Sequence, residues 1–241
     1  MTLLLEALDW LNDSGRWAGP TGIIQRLLEH LAVTAGVIVI GAAIALPIGI
    51  IVGHTHRGRT VVAALAGAAR AIPTLGLLTA LGLALGIGLQ APVLALVVLA
   101  VPSLLAGAYA GVENVSPVTV DAARASGMSE LQIILRVELP LASPIILGGL
   151  RAATLQVVAT ATLAAYVADV GLGRYLYAGL KTRDYPQMLA AAVLLVILAV
   201  LLEIVLSAVQ RAGRRAASPT GSKLSHHGEP APQPALNLIR S

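Results

Sequence analysis

The chain has no cysteine and no phenylalanine, and aromatic residues fill only 3% of its 241 positions. Absence of thiols excludes a disulfide framework and any cysteine metal centre. Charge is scarce as well, at 12% of residues, whereas 57% are apolar and the mean hydropathy is +0.84. Such a chain has too few polar groups to cover a water-facing surface, which excludes an ordinary soluble domain and leaves a membrane protein. Also missing is a G-x-x-x-x-G-K-[ST] phosphate loop, because "PTGSKLS" near the C-terminus lacks the first glycine at the required spacing. The chain by itself therefore has no means of hydrolysing ATP.

Apolar sequence instead comes in long runs, over about 31–53, 61–85, 91–112, 145–167 and 188–208. Each reaches the ~20 residues needed to cross hydrocarbon as a helix. The runs lack the alternation of barrel strands, so the expected fold is all-α and polytopic, with about five transmembrane helices. With the N-terminus outside, eleven Lys and Arg fall on the internal side and five on the external side. That bias puts the C-terminus and the polar 113–144 segment in the cytoplasm.

Three regions follow: an extracytoplasmic or interfacial segment 1–30, a transmembrane region 31–208, and a basic tail 209–241. "MTLLLEALDWLNDSGRW" at the start has no basic residue before Arg16 and is not a secretory signal peptide. Leu4, Leu8 and Leu11, with Trp10 and Trp17, suit a short helix lying at the interface. The tail mixes Pro, Ser, Gly and basic residues without periodicity and is expected to be disordered. Its adjacent His226 and His227 have no further ligand cluster nearby, so no metal site is expected.

Few polar residues interrupt the runs. Gln156 is the costliest to expose to lipid, so it faces protein or water. It either bonds a neighbouring helix or lines a pathway with Thr160 and Tyr166, four and ten residues further on. Gly49 and Gly53, Gly82 and Gly86, and Gly107 and Gly111 have the spacing of close helix contacts, within or between subunits. Pro47, Pro73 and Pro102 are placed to bend or interrupt helices. No Asp or Glu pair lies in the runs, which argues against a proton-coupled transporter.

Against this background "VDAARASGMSELQIILRVELPLASP" at 120–144 is conspicuously polar. Ser116 is placed to cap a helix with Pro117 at its first position, and Gly127 to end it. Ser129 and Gln132 have capping-box spacing for a second helix. Pro140 disfavours helix at Leu139 and prepares a turn into the next span. Two short helices would then project from the membrane around a corner of small residues, Ala122, Ala123, Ala125 and Gly127, with Met128 as an adaptable apolar knob. Such a corner suits docking of another protein, or else lies along the bilayer as an amphipathic loop.

At this point the chain resembles the permease subunit of a bacterial ABC importer. The signature of that family runs EAA, three residues, Gly, nine residues, Ile, any residue, Leu-Pro. Here Asp121, Ala122 and Ala123 are followed by Gly127, then Val137, Glu138, Leu139 and Pro140, with every spacing kept and Asp and Val replacing Glu and Ile. "ALPIGIIVGHTHR", "RAIPTLGLLTALGLALGIG" and "ATATLAAYVADVGLGRYLYAGL" are similar to the osmoprotectant, or quaternary-amine, branch, although "VADVGLG" replaces its usual "GAGGLG" and puts Asp169 at the outer mouth.

The resemblance implies a type I importer permease that is no enzyme and binds no cofactor. ATP and Mg would sit on a separate ATPase pair receiving Asp121, Ala122, Ala123, Gly127, Met128, Leu139 and Pro140. It further implies an extracytoplasmic solute-binding protein, a second permease subunit, identical or paralogous, and a lipid surround, with no nucleic acid. Its solute would be a compatible solute such as glycine betaine, choline or carnitine, or alternatively methionine. A non-transporting membrane scaffold is the reading from a different class.

Overall fold

The computed structural model describes residues 2–217. In chain order its helices are α1 (Thr2–Asn12), α2 (Ile23–Thr55), α3 (Arg59–Ala71), α4 (Thr74–Leu85), α5 (Gln90–Glu113), α6 (Pro117–Ala125), α7 (Glu130–Ile133), α8 (Leu139–Thr160), α9 (Gly173–Thr182) and α10 (Tyr185–Ala217). A π turn, Ile134–Glu138, joins α7 to α8, and a 3₁₀ segment, Ala161–Tyr166, extends α8. No strand occurs among the described residues.

Among the described residues four continuous helices are long and apolar enough to span a bilayer, or five if the bent pair α3 and α4 counts as one broken span rather than a re-entrant loop. The break is chemical. Ile72 is extended at φ −71°, ψ 122°, the conformation forced on a residue before proline, and Pro73 opens α4 without an N–H to give. The two halves meet at 84°. Pro47 and Pro102, by contrast, lie inside continuous α2 and α5.

At the centre α5 packs between α2 and α8. A Cβ on Gly49 would stand 2.6 Å from the Ala108 Cβ, and one on Gly107 only 2.7 Å from the Gly149 Cα. Glycine is thus required at both positions for the backbones to meet. Lipid offers apolar side chains no reason to leave it, so this close packing is what joins the helices. Four of the paired glycine positions, Gly49, Gly53, Gly107 and Gly111, therefore act inside one subunit. Val37, Ala45, Ala100, Leu104 and Val157 fill the seam, while Val196, Val200, Ile204 and Val205 of α10 face outward as lipid-contacting residues do.

Several expectations are corrected. Helix does not stop before Pro140: Glu130–Tyr166 is continuous, because the wider π turn, in which the Leu139 N–H reaches the Ile134 carbonyl, makes room for the proline ring in the first turn of α8. Only α6 is therefore a separate short helix at the corner. The boundaries at 30/31 and 208/209 fall inside α2 and α10. Helix persists to Ala217, and the remainder of the tail, with His226 and His227, lies outside the described residues. At the other terminus α1 does form a helix; its Trp10 packs edge-on against Tyr175, with ring centroids 5.3 Å apart.

Candidate coupling corner and polar anchors

Pro117 takes the first turn of α6 after Ser116, although the Ser116 hydroxyl makes no capping bond. Gly127 closes the helix at φ 83° and donates its N–H to the Arg124 carbonyl at 2.9 Å. A side chain there would meet nothing within 4 Å, so its cost lies in the backbone conformation. Ser129 and Gln132 then make the reciprocal capping box that opens α7.

Arg124 spans the corner. Its Nε and Nη2 donate to the two Glu130 oxygens at 2.8 and 3.0 Å, and Nη1 to Asp121 at 3.2 Å. The bond from Glu130, with Asp121 adding charge, pushes the Arg124 pKa above its ordinary value. Beneath the corner stands His54, near the end of α2, with Nδ1 2.8 Å from Glu138 Oε2 and Nε2 3.1 Å from Glu130 Oε2.

Of the residues expected to form the docking face, Asp121, Ala122, Gly127 and Pro140 are exposed and Leu139 is half-buried. Ala123 is buried, and Met128 folds back onto a cluster of Val112, Val115, Val120 and Ile133. The outward knobs are instead Val118, Leu131 and Leu135, whose large apolar side chains are exposed around the same corner.

The suggested pathway trio is not brought together. The Ser103 hydroxyl donates to Gln156 Oε1 at 3.1 Å, joining α5 to α8, and the Thr160 hydroxyl donates to the Gln156 carbonyl at 2.8 Å. Thr160 borders a crevice of about 10 Å³, whereas Tyr166 lines a separate cavity of about 430 Å³ with Thr79, Leu83, Asp169 and Arg174.

At the end of the bundle opposite α6, Asp169 is exposed yet paired. Arg26 donates to its carbonyl at 2.8 Å and to its carboxylate at 3.0 Å, and Arg174 stands 2.7 Å from the same carboxylate oxygen. Arg26 also binds Glu29 at 2.9 Å, and Glu29 accepts the Gly171 N–H at 3.0 Å. The Asp169 carboxylate is therefore held by two arginines. Beside it, burial raises the Tyr177 phenol pKa, with nearby Tyr166 contributing.

A third pairing escaped the sequence reading. Arg151 of α8 binds Glu203 of α10 at 2.8 Å through Nε and Gln210 at 3.0 Å through Nη1. Two opposite charges inside otherwise apolar runs were the available signal. Among the described residues no group of three His, Asp or Glu is arranged to hold a metal ion.

Spanning helices around a glycine-packed seam, with a polar helical corner at one end, make a polytopic membrane component. Residues 45–217 match the family described as "Binding-protein-dependent transport system inner membrane component", and the chain belongs to that family. It is 30% identical over 176 residues to the glycine betaine/carnitine/choline transport system permease protein OpuCB of Bacillus subtilis (strain 168), and 27% identical over 176 residues to the choline transport system permease protein OpuBB of the same organism. Each alignment covers 73% of this chain and 81% of the relative. The inward-facing MetNI methionine ABC transporter shares its fold at a TM-score of 0.69 and 27% identity, over 79% of this chain and 95% of that one. The resemblance read from the corner motif is thereby borne out, and the chain is a multi-pass inner-membrane protein.

Proposed function

We propose that the chain is the permease subunit of an ATP-driven importer for a quaternary-amine compatible solute such as glycine betaine, choline or carnitine. The carrying observation is the Asp121–Pro140 corner, which combines the family spacing with an exposed, rigidly capped surface. ATP and Mg act on a separate ATPase pair that receives this corner as a helix received in a groove. A binding protein delivers the solute at the opposite end, and a second permease subunit completes the pathway. The corner is cytoplasmic in this arrangement, in keeping with the excess of Lys and Arg on its side. With only two Trp and five Tyr in the chain, solute recognition resides mainly in the binding protein.

Uptake of labelled glycine betaine, choline, carnitine and methionine by the reconstituted complex tests the reading. At least one quaternary amine is expected to accumulate with ATP. Accumulation of methionine alone would transfer the chain to the methionine class, and no uptake of any solute would reject the importer role. Gly127→Asp should insert normally but lose ATPase docking and transport, because it strains the φ 83° corner and puts charge in the groove. Copurification of the ATPase and uptake at wild-type levels would reject the docking assignment.

A further inference from the structure

We propose that His54 is a positioning residue of the coupling step: hydrogen-bonded to Glu138 through one ring nitrogen and within ion-pair distance of Glu130 through the other, it tethers the docking corner to α2, so that motion imposed on the corner is delivered to α2 as well as to α8. This rests on the docking role proposed above.

Geometry places His54 alone between two elements of the corner. Glu138 lies on the π turn and Glu130 on α7, each on a different ring nitrogen. Both partners are carboxylates, and an ionised carboxylate only accepts hydrogen bonds, so the ring donates in the contact with Glu138. The other charged or titratable groups around this space are Asp121 and Arg124 of α6 and His56 beyond the end of α2; α5 contributes Val112.

Burial makes the tether consequential. The Glu138 side chain is only 5% exposed, and among the described residues its one recorded hydrogen bond is to His54. A buried carboxylate left without a donor is costly, so Glu138 and His54 hold each other in place. Glu130, in contrast, keeps both Arg124 bonds if His54 is removed. The corner thus has an internal clamp, Arg124 with Glu130 and Asp121, and a separate external tether, His54. Losing the second leaves the docking surface shaped but detached from α2.

The test uses the whole importer in proteoliposomes, comparing solute accumulated per ATP hydrolysed. His54→Leu should still copurify the ATPase and hydrolyse ATP, while uptake per ATP falls about tenfold, the scale of a charge-assisted hydrogen bond. His54→Arg, which supplies donors to both carboxylates at every pH, should restore the ratio. Recovery in the arginine variant does not depend on how well the leucine variant folds. Wild-type coupling in His54→Leu, or no recovery in His54→Arg, would each overturn the tether. A wild-type complex without ATP-driven uptake would instead overturn the importer reading, and the tether with it.

Discussion

The two ends of α2 do the same structural job with different chemistry. At one end Arg26 holds Asp169 in the loop that follows the 3₁₀ segment; at the other, His54 holds Glu138 just before α8 begins. Both ends of the α8 span are therefore fastened to one helix. A guanidinium forks onto two acceptors at once, here the carbonyl and the carboxylate of Asp169, whereas the imidazole meets Glu138 through a single ring nitrogen. One anchor is forked and the other single.

Arg26→Ala should break the forked anchor with the largest effect. The Arg26 side chain is 7% exposed and bonds both Glu29 and the Asp169 carbonyl, so its removal should cost about 3 kcal/mol, within the range for breaking a buried pair. Thermal unfolding of the purified subunit in detergent should show that loss unchanged across the neutral pH range. Glu138→Ala comes next, at about 2 kcal/mol, because His54 retains Glu130. A Glu138→Ala deficit as large as that of Arg26→Ala would erase the distinction between the anchors. The smallest change should follow Asp169→Asn, about 0.5 kcal/mol, because its carboxylate is largely exposed and the carbonyl bond to Arg26 survives. A loss as large as that of Arg26→Ala would show that charge, rather than the buried carbonyl contact, secures this loop.

How legible these features were depends on their range along the chain. The spans follow from hydropathy, and the α6–α7 corner from proline, glycine and capping residues that act within four positions of one another. The break at Pro73 was foreseeable for the same local reason. Partners of Arg26 and His54 were not, since Asp169 is 143 residues and Glu138 is 84 residues away. Nor could the sequence say that Ala123 and Met128 turn inward: α6 is short, and the apolar Val118 and Val120 on it gave no single preferred face, yet the structure exposes one and buries the other. Pro140 misled because the rule for a residue before proline assumes α-helical spacing. The single π turn removes the clash without ending the helix.

That turn has a mechanical consequence. As α7, the π turn and α8 form one uninterrupted shaft from Glu130 to Tyr166, torque applied at the corner reaches the membrane without a hinge to absorb it. The extra residue in the turn also sets the angular phase between the gripped end and the working end. Deleting a single residue from 134–138 would leave both ends intact as helices but rotate one against the other by about 100°, the angle of one α-helical residue. The importer would then keep the Arg124 bonds at its grip and still turn the wrong faces toward the pathway.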